Sequence, residues 1–209
     1  MRLYDYIASG NCYKVRLLLA LLGTEYERVP VDIFGGDTLT EAYGRLNPVR
    51  ETPVLELDDG AVIAQSNAIL WYLAEGTSFL PDDRLGRAHA AQWLAFEQER
   101  IMGGIGGPRF RTLTGRPQIP GRLETGAEAL RLLDTTLAER DWLVGERPTI
   151  ADISIYAYAH VAPDAGLDLA PLPAFRAWTD RIAALPGYMN DFVRYPPNAN
   201  EGAGRSIYD

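Results

Sequence analysis

Ser9-Gly10-Asn11-Cys12 puts a hydroxyl, an amide and a thiol within four residues. The segment falls between a strand-like run and a helical run, so these side chains sit where a helix begins. A helix start offers unpaired backbone N–H groups and the positive end of the helix dipole, which together stabilise an anion. The anion that suits a hydroxyl, an amide and a thiol is a thiolate. Cys12 itself can supply it, since a cysteine at a helix start has a lowered pKa; otherwise a substrate brings it and Ser9 donates to it. A plainer alternative stands beside both, with Ser9 or Asn11 capping the helix and Cys12 packed as a small apolar residue. Two more segments bear on chemistry. In Glu51-Thr52-Pro53 a proline enters a strand, which confines it to an edge or a special geometry; a cis peptide there would leave the Thr52 backbone as a free hydrogen-bonding edge. Gln65-Ser66 opens another helix, where a carboxylate would meet the Ser66 hydroxyl and N–H groups, or where the pair simply caps the helix.

The elements that must position these groups follow from periodicity. Residues 2–7 read as a strand, and Val15, Leu18, Leu19 and Leu22 mark one face of a helix that ends at Gly23. Residues 26–31 form a second strand and 38–46 a short helix. Residues 53–57 and 61–64 flank Asp58-Asp59-Gly60, a hairpin signal, and a helix runs from Ser66 to Ala74. The order β-α-β-α-β-β-α makes the first two strands parallel and adds an antiparallel hairpin. Residues 1–76 are thus predicted to form an α/β domain, 77–86 a linker, and 87–209 an all-helical bundle domain with an irregular, polar tail. Within the second half, Arg87–Met102 is predicted helical, with His89, Trp93, Phe96 and Arg100 on one flank. The six glycines and three prolines of residues 103–121 are expected to interrupt it as a loop. Further helices are predicted over 122–140, 151–161 and 174–185.

Composition narrows the function. The 209 residues carry 20 basic and 28 acidic side chains, a net charge of −8, which disfavours polyanionic partners, so neither nucleic acid nor an anionic membrane surface is expected. No apolar run approaches the roughly 20 residues of a membrane span, and the N-terminus lacks a signal-peptide core, so a cytoplasmic location is expected. Cys12 is the one cysteine, which excludes an intrachain disulfide and a multi-cysteine metal site. With only two histidines, His89 and His160, no metal is expected. All but one of the basic residues are arginine; the exception is Lys14, one helical turn beyond Asn11.

The spacing Ser-x-x-Cys resembles the Cys-x-x-Cys of thioredoxin-like proteins with its first cysteine replaced. Taken together, the three segments resemble the glutathione-binding domain of the cytosolic glutathione transferases, and the resemblance runs along nearly the whole chain. It is tightest at Thr52-Pro53-Val54-Leu55, Asp59-Gly60, Gln65-Ser66-Asn67-Ala68-Ile69 and Tyr72-Leu73. Gly145-Glu146-Arg147-Pro148-Thr149-Ile150-Ala151-Asp152 is similar to the family's capping-box motif, in which Thr149 caps a helix and Asp152 reaches back to the cap N–H. That role is structural, and Asp152 is not read as catalytic. The resemblance implies a thioredoxin-like domain followed by a helical domain, glutathione as co-substrate and a twofold dimer. It implies a cis Pro53, a Thr52 backbone paired with the cysteinyl part of glutathione, and Gln65-Ser66 holding the γ-glutamyl end. Ser9 matches the hydroxyl of the serine-type classes, and Ser9-Gly10-Asn11 is also similar to the nu-type bacterial members. Glu51 departs from the basic residue that many members carry near the glycyl carboxylate, and Arg50 is the candidate to offset it.

A free thiol near pKa ~8.5 is only about 3% thiolate at pH 7, and lowering it to ~6.5 raises that to roughly three-quarters, a preference of about 2.7 kcal/mol for the anion. Hydrogen bonds to charged groups contribute ~1.5–3 kcal/mol each, so Ser9, Asn11 and the helix start suffice. The expected reaction is attack of that thiolate on a hydrophobic electrophile. The acceptor pocket is expected from Ile7, Arg100, Met102, Arg109 and Phe110, for each of which core packing or a solvated surface is the competing reading. Two alternatives remain open: reduction of a disulfide or peroxide, with Cys12 testing for a protein-borne mixed disulfide, and a non-catalytic binding module.

Overall fold

The computed structural model describes residues 1–208. Four short strands, β1 (Arg2–Asp5), β2 (Glu27–Pro30), β3 (Val54–Glu56) and β4 (Val62–Ala64), form one sheet in the order β2-β1-β3-β4. β1 pairs in parallel with β2 (Tyr4 opposite Val29) and antiparallel with β3 (Leu3 opposite Leu55), and β3 pairs antiparallel with β4. The parallel pair is joined by helix α1 (Gly10–Leu21), the crossover that parallel strands require. Alternation along β1 sends Leu3 to one face, where it meets Val15 and Leu19 of α1, Leu55, and Ile69 of α3 (Ser66–Ala74). Tyr4 points the other way and meets Tyr43 of α2 (Glu41–Leu46) edge-on at 6.3 Å.

The second half is helical: α4 (Arg84–Phe96), α5 (Gly107–Thr114), α6 (Arg122–Leu137), α7 (Ile150–Ala159) and α8 (Pro173–Ala183). α7 is buried along its whole length, and α1 packs against it. Leu17, Leu18 and Leu70 from the sheet domain therefore share one core with Leu130, Ile155, Phe175 and Trp178. Thr149 and Asp152 close the expected capping box at the start of α7. Asp152 also accepts from Leu143 N–H and the Trp178 indole, both at 3.0 Å.

The expected loop at 103–121 is largely absent. A π-helical stretch, Glu97–Gly106, continues α4 directly into α5, and the chain leaves helix only after Thr114. The glycines serve contact rather than breakage. A Cβ on Gly104 would stand 2.5 Å from the Gly126 nitrogen of α6, so the two backbones meet where no side chain fits. The tail is irregular as expected but not merely polar, for Tyr195 and Tyr208 stack into an aromatic cluster with Phe110 and Phe34.

Candidate functional site

Ser9 is the N-cap of α1, with its Oγ accepting from Cys12 N–H at 3.4 Å. Asn11 lies in the first turn, and its Oδ1 accepts from Ser66 Oγ at 3.2 Å, so its amide nitrogen keeps its own donors. Gln65 precedes α3 with φ of 73°, a conformation that favours glycine, and such strain is retained where the surroundings fix it. The Thr52–Pro53 peptide is cis. Ser9, Asn11, Glu51, Thr52, Gln65 and Gln98 are polar residues lining a cavity of about 320 Å³. Aromatic and apolar residues complete the lining: Tyr6, Ile33, Met102, Phe110, Tyr158, Tyr195 and Tyr208. Pro53 and Ser66 are buried behind this lining. A separate cleft of about 410 Å³ beside the start of α4, lined by Asp82, His89 and Arg147 among others, contains none of these residues. Among the described residues no cluster of three or more His, Cys, Asp or Glu is arranged to hold a metal ion.

Several expectations are corrected. Cys12 is 0% exposed, and burial pushes its thiol up to about 12, so it is packed as a neutral thiol rather than poised as a nucleophile. Its sulfur accepts from Tyr6 N–H at 3.4 Å. Arg50, at φ of 62°, donates to the Thr38 and Thr40 carbonyls at 2.7 and 2.8 Å and does not offset Glu51. Glu51 is met instead by the Gln65 amide at 3.4 Å. Of the expected acceptor pocket only Met102 and Phe110 line the cavity. Arg109 is buried in an ion pair with Asp164 at 3.0 Å, beneath the Phe192 ring. Arg100 is exposed beside Glu99, and Ile7 offers only its carbonyl, to Arg16. Lys14 is turned inward to Glu97 at 3.0 Å, both fully buried.

Sequence reasoning missed Tyr158, Tyr195 and Tyr208, which reach the cavity from far along the chain. Tyr6 was read only as a strand residue.

Two family models match: "Glutathione S-transferase, N-terminal domain" over residues 8–75 and "Glutathione S-transferase, C-terminal domain" over residues 114–186. A maleylacetoacetate isomerase of Pseudomonas aeruginosa is 30% identical, the match covering 90% of this chain and 93% of that protein. The disulfide-bond oxidoreductase YfcG of Escherichia coli is 31% identical over 85% of this chain and 88% of its own. The crystal structure of a glutathione S-transferase from Pseudomonas fluorescens superposes with a TM-score of 0.88 at 41% identity, covering 92% of this chain and 98% of that one. A thioredoxin-like domain joined to a helical one is the fold these matches share. The chain belongs to the glutathione S-transferase family.

Proposed function

We propose that the protein activates the thiol of glutathione and transfers glutathione to a hydrophobic electrophile. The observation that carries this reading is the meeting of Ser9 and Asn11 with Thr52 and Gln65 in one cavity that is otherwise largely lined by aromatic side chains. Glutathione lies along the polar residues. The Thr52 backbone pairs with its cysteinyl part, Gln65 and the buried Ser66 hold its γ-glutamyl end, and its sulfur rests against Ser9 and Asn11. The thiol proton leaves to solvent, and the hydroxyl and amide hydrogen bonds favour the anion left behind. The thiolate then forms a carbon–sulfur bond as the leaving group departs with its electron pair. The aromatic residues hold the electrophile and exclude water. Glu51 sets a negative charge near the glycyl end, so glutathione is held by local donors against it. A twofold dimer goes with this reading, and Val62 of β4 and Tyr72 of α3 are exposed apolar side chains that a second copy could cover.

Turnover of a chromogenic aryl halide with glutathione tests the assignment. Ser9→Ala and Asn11→Ala should each lower kcat/KM by about ten- to a hundredfold, the loss of one charge-assisted hydrogen bond. Full activity in both variants would remove these residues from the mechanism.

A second reading is favoured by the likeness to a disulfide-bond oxidoreductase. In it the same thiolate attacks a disulfide sulfur, releases the other half as a thiol, and a second glutathione resolves the mixed disulfide. With Cys12 buried, all three sulfurs of each exchange come from substrates. Reduction of a small dialkyl disulfide faster than conjugation of the aryl halide would favour this reading.

A further inference from the structure

Two of the N–H groups at the start of α1 are already engaged. Cys12 N–H donates to Ser9 Oγ, and Asn11 N–H donates at 3.2 Å to the hydroxyl of Tyr158, a residue of α7 in the helical domain. The Tyr158 ring is wedged between two glycines. A Cβ on Gly106 would stand 2.9 Å from its Cε1, and a Cβ on Gly10 would collide with the same edge. The side chain is 7% exposed, and what it does show lines the cavity beside Ser9 and Asn11. Among the described residues its O–H has no acceptor. Ser9 and Tyr158 are therefore in the same electrical position. Each takes an N–H from the positive end of α1, and each keeps a hydroxyl hydrogen that this polarises.

We propose that Tyr158 is a third hydrogen-bond donor to the sulfur of bound glutathione, supplied across the domain boundary. The proposal rests on the thiolate reading above and adds a catalytic residue to it. Burial raises the Tyr158 phenol well above its usual 10, so the hydroxyl stays protonated and donates throughout the neutral range. The charged neighbours do not compete for the sulfur. Lys14, 5.9 Å from the ring centroid, is paired with Glu97, and the Cys12 thiol is neutral. Tyr195, from the tail, is itself a phenol raised by burial. Delivered from α7, the hydroxyl makes activation of the thiol depend on the docking of the two domains.

Tyr158→Phe tests this, because it keeps the ring between the glycines and removes only the oxygen. The readouts are the ultraviolet absorbance of the enzyme-bound glutathione thiolate as a function of pH, kcat/KM for an aryl halide over the same range, and the melting temperature. The expected result is a bound-thiol pKa raised by about one unit and kcat/KM lowered about tenfold below the wild-type pKa. Rates should converge once the thiol is ionised in both proteins, with the melting temperature and the KM for glutathione little changed. An unchanged bound-thiol pKa would overturn the proposal and leave Tyr158 a packing wedge. So would a rate loss that persists at high pH together with a lowered melting temperature. Absence of a thiolate band in the wild type would instead overturn the thiolate reading itself, so the two failures are distinguishable.

Discussion

At the start of α1, side-chain hydroxyls take up backbone donors that would otherwise face the cavity. Ser9 and Tyr158 each occupy an N–H of α1 and present a hydroxyl in its place. Burial acts in the opposite sense at His160, whose ring stacks on Tyr156 at 4.4 Å with Nδ1 2.6 Å from the Tyr156 carbonyl oxygen. Burial pushes it down from 6.5 to about 4. The folded value lies below the unfolded one, so the unfolded chain takes up the proton first. The stability present above pH 6.5 is therefore withdrawn as the pH falls towards about 4, by about 3 kcal/mol in all. His160→Phe keeps the stacked ring and removes the titration. Urea midpoints measured from pH 7 downwards should fall less steeply for that variant than for the wild type.

Between elements, the one lysine ties the two halves together. Lys14 of α1 pairs with Glu97 at 3.0 Å. Asn67 of α3 accepts from Lys14 at 3.3 Å and donates to Glu97 at 3.0 Å, and Ser154 of α7 donates to Asn67 at 2.7 Å. A buried pair broken on one side leaves a charge without compensation. Lys14→Met should lower unfolding stability by ~3–5 kcal/mol, and the double variant Lys14→Met/Glu97→Met should recover most of it, as measured by urea denaturation. The sequence showed Lys14 near the site but could not show Glu97 opposite, because their meeting is a property of helix packing. Features closed within a few residues were legible: the Asp59-Gly60 turn with Gly60 at φ of 85°, the Ser9 cap, and the Thr149–Asp152 box. Gly103-Gly104-Ile105-Gly106 was misread because glycine carries the same local signal whether it frees a loop or lets two helices touch. Arg109 was misread for a related reason, since a guanidinium looks like a ligand group until its partner, Asp164, is in place. Tyr158 lies 147 residues from Asn11, and no local pattern joins them.

Across the molecule the tail closes what the two domains leave open. Asn198 donates to Asp32 at 2.9 Å and Arg205 N–H to the Phe34 carbonyl at 2.8 Å, both in the sheet domain. Glu201 N–H donates to Thr114 of α5 at 3.0 Å. These bonds hold Tyr195 and Tyr208 in the aromatic lining. Removing the chain from residue 195 onward should raise the KM for an aryl electrophile about tenfold, through lost aromatic contact, while the KM for glutathione stays within about twofold. Steady-state kinetics with each substrate varied in turn reads both effects. The burial of Cys12 has a separate use. The only sulfhydryl in the chain is fully buried on α1, packed among Tyr6, Val31, Phe34, Tyr43 and Val54. A thiol-reactive dye meets nothing in the native state and one equivalent in the denatured state. Its uptake in native buffer is a built-in clock for how often this core opens, without any introduced label.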